Sequence, residues 1–366
     1  MANVNESIID SRLRKLRDRM SNKNIEAVLI CKRENYFYLS GFTGSSAFLL
    51  ISKTDAFLIT DFRYTEQSHI QAPDYEIVEY QGKLIDTLNN LIRRMSIKKL
   101  GFEDNYLTVE KFNQFKEGLE TELLPIGSTI EQLRLIKDEE ELVQIKKAVK
   151  IADDGFNHVI KYIKPGIKEI EIAAELEYYM KKQGALGVSF DTIVASGKRA
   201  ALPHGVASEK VVEMGDVITL DFGCIYNNYC SDMTRTVFLG EPNKEILKIY
   251  NIVLKAQIEA SKSAFAGLKG KEIDSVARNI IKENGYGPNF GHSLGHGVGI
   301  EVHEEPRLSI SGEVLLENGM VVTVEPGIYV EGFGGVRIED MVVINDDNPE
   351  ILTSSTKDII ILENFS

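Results

Sequence analysis

Val217–Leu239 reads VITLDFGCIYNNYCSDMTRTVFL. Two runs rich in β-branched and aromatic residues flank Asn227-Asn228, and asparagine tolerates the positive φ of a tight hairpin turn. The stretch is predicted to be a β-hairpin with strands Val217–Tyr226 and Tyr229–Leu239. With Asn227-Asn228 as the turn, Asp221 falls opposite Thr234, and Asp232 falls opposite Gly223. Alternate residues share a face, so the two aspartates become diagonal neighbours on one side of the hairpin. Aspartate is disfavoured inside strands, and facing carboxylates repel unless protonated or bridged by cations. The alternative is a chance pair of strand aspartates with no ligand.

A second acidic pair lies further on. Met320–Glu325 is predicted as a strand ending in a glutamate before the turn Pro326-Gly327, and Gly335–Ile344 as a strand carrying Arg337 and Glu339 on one face. Apolar neighbours surround both glutamates (VVTVEP and VRIEDMVV). A buried carboxylate needs a partner or a metal; a structural Glu–Arg ion pair is the alternative. Between the two acidic pairs, His292–Pro306 (HSLGHGVGIEVHEEP) holds three of the six histidines, interleaved with glycines. Imidazole is the commonest metal ligand and proton shuttle, and glycine lets backbone approach a ligand closely; a surface loop is the other reading. Asp221, Asp232, Glu325, Glu339 and one of these histidines form a set whose charge two divalent cations would offset. Oxygen-rich ligation with one imidazole suits Mn2+ first, with Co2+, Zn2+ or Fe2+ as other choices.

Outward from these segments the chain is mixed α/β. An amphipathic helix is expected over 8–20, then strands Ala27–Ile30, Tyr36–Leu39, Ala47–Ile51 and Ala56–Thr60, a helix Leu84–Met95, a strand Lys99–Glu103 and a helix Lys111–Leu119. Ile126–Thr129 reads as a linker, which divides the chain into 1–128 and 129–366. Asp138 caps a helix with acids in its first turn, stopped by Pro165-Gly166. Further helices are expected over about 169–182, 244–265 and 273–283, and no short repeat is visible.

Length bounds the answer: 366 residues favour two domains. Hydrophobic content of 43% and charged content of 27% are ordinary for a globular protein. No apolar run approaches a membrane span, and MANVNESIIDSRLRKLRDRM has neither the apolar core nor the cleavage site of a signal peptide. Three cysteines (Cys31, Cys224 and Cys230) do not make a disulfide framework, so a reducing cytoplasm is expected. A net charge of −13 argues against a nucleic-acid partner.

The motifs LDFG with CSDMTRT, HSLGHGVGIEVHE, VEPGIY and GGVRIED, in that order, resemble the proline-specific metallopeptidases of the pita-bread fold, aminopeptidase P and prolidase. YFYLSGFTGSSA and ITDFRYTEQ are similar to the creatinase-type N-terminal domain of that family. The resemblance implies that Asp221, Asp232, His296, Glu325 and Glu339 bind two metals, with Asp232 and Glu339 bridging and Glu325 also accepting a proton. It implies that His204 and His303 stabilise the reacting centre, that His292 lines the proline side, and that Tyr329 and Arg337 frame the site. His69 and His158 match no motif and are expected to be surface or packing residues. A homodimer acting on peptides with proline at the second position follows from the same likeness.

All five metal positions are present, which argues against creatinase itself and against a metal-free, peptide-binding pseudo-enzyme of the same fold. Methionine aminopeptidase shares the metal set but normally lacks an N-terminal domain of this kind. Within the family the layout leans to Xaa-Pro aminopeptidase activity; the alternative is an Xaa-Pro dipeptidase, for which Arg307 is the candidate clamp on the proline carboxylate.

Overall fold

The computed structural model describes residues 7–363. Met1–Glu6, which open the stretch read as lacking a leader, lie outside them. The chain divides into two compact units, 1–134 and 135–366; the sequence reading placed the division at 128/129. No helix among the described residues is long and apolar enough to cross a membrane.

The first unit is a six-stranded sheet in the order Glu76–Glu79, Ala56–Thr60, Phe48–Ser52, Ala27–Ile30, Lys99–Phe102, Glu122–Pro125. Central strands are buried throughout (Ala27–Ile30 shows no exposed position), as expected of strands covered on both faces. Leu88, Leu91, Ile92 and Phe115, from the helices Leu84–Met95 and Val109–Gly118, pack on Leu29, Leu50 and Leu100. One expectation fails here: Tyr36–Leu39 is not a strand but part of the helix Arg33–Ser40. Its aromatic, β-prone sequence is overridden by a residue far along the chain. The buried Glu103 carboxylate accepts from the amides of Cys31 and Lys32, the two residues before the helix, at 2.5 and 2.8 Å and from Asn35 Nδ2 in its first turn at 2.7 Å, which holds the chain's entry into the helix. Gly41, at φ 75°, closes the helix.

The second unit is built twice over. Helices Glu139–Val159 and Glu169–Lys182 pack on a sheet ordered Ile361–Leu362, Met233–Leu239, Val217–Phe222, Ile193–Ser196. Helices Lys244–Lys262 and Gly270–Glu283 pack on a second sheet, ordered Glu304–Leu308, Gly295–Gly297, Val321–Val324, Asp340–Val343, Glu350–Ile351. Asp138 starts the first helix through a reciprocal box, accepting from the Glu141 amide at 2.9 Å while its own amide donates to Glu141 at 3.1 Å.

The two halves carry a spaced correspondence in place of a short repeat. Gly166–Ile172 (GIKEIEI) and Gly267–Ile273 (GLKGKEI) each open the second helix of a pair, with a lysine amide donating 2.7 Å to the glutamate three residues on. Glu209–Gly223 (EKVVEMGDVITLDFG) and Glu313–Gly327 (EVLLENGMVVTVEPG) follow, placing Asp221 and Glu325 at like positions. In both halves the lysine ion-pairs with the first glutamate of that second segment, Lys168 with Glu209 at 2.6 Å and Lys269 with Glu313 at 2.8 Å.

The hairpin register is as read: Asp221 pairs with Thr234, and Asn227 and Asn228 take φ of 46° and 67°. The strands are not continuous, however. The first breaks at Gly223 and the second at Ser231-Asp232, while the expected strand Gly335–Ile344 is two strands, Gly334–Arg337 and Asp340–Val343, separated at Ile338-Glu339. Gly223 permits the first break, because a Cβ there would overlap the Ser231 carbonyl.

A buried cation joins the two sheets. Arg235, on the hairpin, ion-pairs with Asp340 at 2.7 Å and donates to the carbonyls of Thr234 at 2.9 Å, Glu339 at 2.5 Å and Ser355 at 2.7 Å. Burial opposes the charge of Asp340, but Arg235 and Lys357 hold its carboxyl below the usual range. Removing one partner of such a pair strands the other in low dielectric and costs about 3–5 kcal/mol. Arg235→Met is therefore expected to lower the thermal midpoint clearly in a calorimetric melt, whereas an unchanged midpoint would contradict this role.

Candidate metal centre

Each acid in the cleft sits where backbone geometry aims it inward. Asp221 lies in the strand Val217–Phe222 and Asp232 at the break in the returning strand; Glu325 follows the end of Val321–Val324, and Glu339 occupies the break before Asp340–Val343. Thr234 and Glu339 are tied together twice, by the Glu339 amide donating to the Thr234 carbonyl at 3.1 Å and by Thr234 Oγ1 donating to Glu339 Oε2 at 2.6 Å. His296 is in the short strand Gly295–Gly297 rather than in a loop. Gly295 makes this possible, since a Cβ there would overlap the Thr323 carbonyl, and the His296 amide donates to Thr323 Oγ1 at 3.0 Å.

His296 Nδ1 lies 3.1 Å from the Gly297 carbonyl, which fixes it as the protonated nitrogen. Nε2 is left facing Glu325 Oε1 at 3.3 Å and Asp232 Oδ2 at 3.7 Å. Ligand atoms of Asp232, His296 and Glu339 all lie within 4.8 Å of one another. Asp221 reaches the same cleft: Arg337 donates to its Oδ2, while its buried Oδ1 has no protein partner.

Electrostatics agree with this geometry. Burial, aggravated by the neighbouring acids, pushes Asp232 and Glu339 well above the usual carboxylate range. Burial also raises Asp221, with Arg337 working against the rise. Glu325 is the exception: burial would raise it, yet His296, His292 and Arg337 hold it below its ordinary value. Protein alone does not accommodate so many negative charges here, and bound cations reverse that preference. An orphaned carboxylate oxygen, an imidazole nitrogen turned toward Glu325 and Asp232, and the convergence of Asp232, His296 and Glu339 fit a divalent metal site.

Around these groups lies a cavity of about 430 Å3 whose walls include His204, His292, His303 and Arg307. Tyr329 links the cleft to its frame: its hydroxyl accepts from Arg337 Nη1 at 2.7 Å and lies 3.0 Å from His292 Nε2. His292 Nδ1 lies 2.8 Å from the Ser293 carbonyl, so Nε2 accepts the tyrosine proton. Burial pushes the Tyr329 phenol up to about 12, which keeps it a donor. Burial lowers His292 and His303, favouring neutral imidazole. The His303 ring stands edge-on to His296, with centroids 4.3 Å apart. All the sequence-derived site residues thus gather around one cleft. His69 is exposed and His158 pairs with Glu175 at 2.6 Å while stacking on Tyr179; neither lines the cavity.

Sequence reasoning missed Thr234, which accepts from Arg337 Nε at 3.1 Å and so couples the arginine to Glu339. It stood in the quoted CSDMTRT, and its signal was its position opposite Asp221. Asp191, which also lines the cavity, was missed as well.

Comparison with known proteins gives two family matches: metallopeptidase family M24 over residues 143–346 and the creatinase/prolidase N-terminal domain over 12–136. The chain is 42% identical to a Xaa-Pro dipeptidase of Pyrococcus horikoshii over 96% of its own length and 99% of the relative's. Among solved structures, a Xaa-Pro dipeptidase from Bacillus anthracis superposes with a TM-score of 0.95 at 48% identity, covering 97% of this chain and all of the other (100%). An X-Pro aminopeptidase from Thermotoga maritima superposes with a TM-score of 0.89 at 46% identity, covering 94% and 99%.

A metal that binds only the folded state stabilises it by about 2.7 kcal/mol at a hundredfold excess over its dissociation constant. Adding manganese to the metal-stripped protein should therefore raise its melting temperature, and Asp232→Asn should lose most of that rise. Equal shifts in both proteins would rule Asp232 out as a ligand.

Proposed function

The chain belongs to metallopeptidase family M24 and is a metallo-exopeptidase of its proline-specific, pita-bread branch; we propose that it is an Xaa-Pro dipeptidase. This departs from the lean toward aminopeptidase activity taken from the sequence. Dipeptidases of 42–48% identity weigh toward the change, against one aminopeptidase structure of similar identity. The observation that carries it is the placement of Arg307. It is exposed on the cavity wall and pairs directly across the sheet with His296, so the two side chains leave on the same face. A guanidinium there suits bidentate capture of a proline carboxylate, and a chain continuing past proline has no carboxylate to offer at that point.

Asp221, Asp232, His296, Glu325 and Glu339 would hold two divalent metals, with manganese the best match to hard oxygen ligands. When bound, the metals supply Lewis acidity to the scissile carbonyl and acidify a water. Glu325 takes a proton from the attacking water as the C–O bond forms and delivers it to the proline nitrogen as the C–N bond breaks, so that proline leaves as a neutral amine. His204 and His303, lining the cavity, donate to the oxygen on which charge develops. The tertiary amide before proline has no N–H for strand-like recognition. The pyrrolidine ring instead meets the His292 wall, where Phe290 packs edge-on at 5.0 Å and Tyr329 lies at 5.5 Å. The homodimer expected from the N-terminal resemblance belongs to the same proposal and is checked by light scattering.

With manganese bound, Ala-Pro should be cleaved and Ala-Pro-Ala left intact. Arg307→Ala should raise KM for Ala-Pro about tenfold or more, the loss of a charge-assisted pair, with a smaller change in kcat. Cleavage of the tripeptide at a comparable rate would restore the aminopeptidase reading. Glu325→Gln should abolish turnover while leaving the melt of the metal-free protein close to wild type.

A further inference from the structure

The cleft is bounded by two edge strands. In the first sheet of the second unit, Ile193–Ser196 is the edge strand, and Ile193 pairs with Asp221. In the second sheet, Glu304–Leu308 is the edge strand, and Arg307 pairs with His296. The hairpin strand Met233–Leu239 lies against the Gly334–Val343 segment, so the acids stand between two edges. One edge carries the arginine proposed to hold the proline end. With the proline end held there, the other edge is left for the first residue of the substrate.

That second edge is mostly apolar, with one carboxylate and the His204 imidazole as its charged or titratable groups. Phe190, Ile193 and Val206 line the cavity there, and Asp191 lines it with them. The segment is pinned from both sides: the Ser189 amide donates to the Gly223 carbonyl at 3.1 Å, Ser189 Oγ donates to the Ser231 carbonyl at 2.8 Å, and Thr192 Oγ1 donates to Glu177 at 2.6 Å. The Ala207 amide adds a further bond to the Thr192 carbonyl at 3.2 Å. Asp191 itself is exposed, and among the described residues no hydrogen bond or ion pair engages its carboxylate. A fixed backbone therefore presents a free negative charge at the rim of an apolar wall. Such a wall accepts the aliphatic stem of a long side chain while the charged tip stays at the rim.

We propose that Asp191 selects the first residue of the substrate, favouring lysine or arginine before proline. The inference rests on the dipeptidase reading and assigns its first-residue subsite. The α-ammonium group is common to every dipeptide and lies beside the scissile carbonyl, so a contact to it would affect all substrates alike. A contact to the side chain affects cationic ones only.

The test compares kcat/KM for Lys-Pro with that for norleucine-Pro, which keeps the stem and lacks the charge. Exposed pairs contribute little each, so Asp191→Asn should lower the Lys-Pro to norleucine-Pro ratio by about threefold to fivefold. Raising the salt should move the wild-type ratio toward that of the variant. Asp191→Lys should shift the preference toward Glu-Pro. An unchanged ratio in both variants, or equal losses on Lys-Pro and norleucine-Pro, would overturn the assignment while leaving the dipeptidase reading intact. Cleavage of neither dipeptide by the metal-loaded wild type would overturn both.

Discussion

Four carboxylates are brought into one cleft in a setting that resists the ionisation of all but Glu325. Burial and mutual repulsion push Asp232 and Glu339 far toward the neutral form. The fold must pin these groups close together despite their mutual repulsion. It does so with hydrogen bonds from outside the cluster: Thr234 to Glu339, Arg337 to Asp221, and Arg235 with Asp340 beneath them. The Arg235 clamp also explains how two sheets, each with its own helix pair, meet at a fixed distance. A metal pair completes this arrangement electrostatically, because it supplies the positive charge that the surrounding side chains do not.

The hairpin could be read from sequence because its information is local. Asn227-Asn228 sets the turn, the turn sets the register, and the register places Asp221 opposite Thr234. The breaks at Ser231-Asp232 and Ile338-Glu339 could not be read, since both lie inside β-patterned runs, and there the Asp232 amide turns to Met341 Sδ at 3.2 Å and the Glu339 amide to the Thr234 carbonyl at 3.1 Å. The helix Arg33–Ser40 was misread for a similar reason: the Glu103 carboxylate that starts it lies far away in sequence. The duplicated halves escaped notice because the like positions are spaced, with Asp221 and Glu325 themselves differing in type. The residues meant to touch metal or substrate were legible mainly through the resemblance. Asp191 was not, because nothing local marks an aspartate before a buried strand as facing a cavity.

Relatives of both specificities share the chain's overall fold. In the proposed reading, the difference between trimming a long peptide and finishing a dipeptide rests on Arg307 at one edge, and the choice of first residue on Asp191 at the other. Arg307 sits on an edge strand opposite His296, and Asp191 lies just before the edge strand whose Ile193 pairs with Asp221, so specificity can vary without disturbing the acids between them.

The central claim is that five named side chains hold a pair of metals. The most direct measurement is an anomalous difference map from crystals grown with manganese, recorded on either side of the metal's absorption edge. Two peaks about 3.5–4 Å apart are expected, bounded by Asp221, Asp232, His296, Glu325 and Glu339. A map with peaks elsewhere, or with none in this cleft, would contradict that claim.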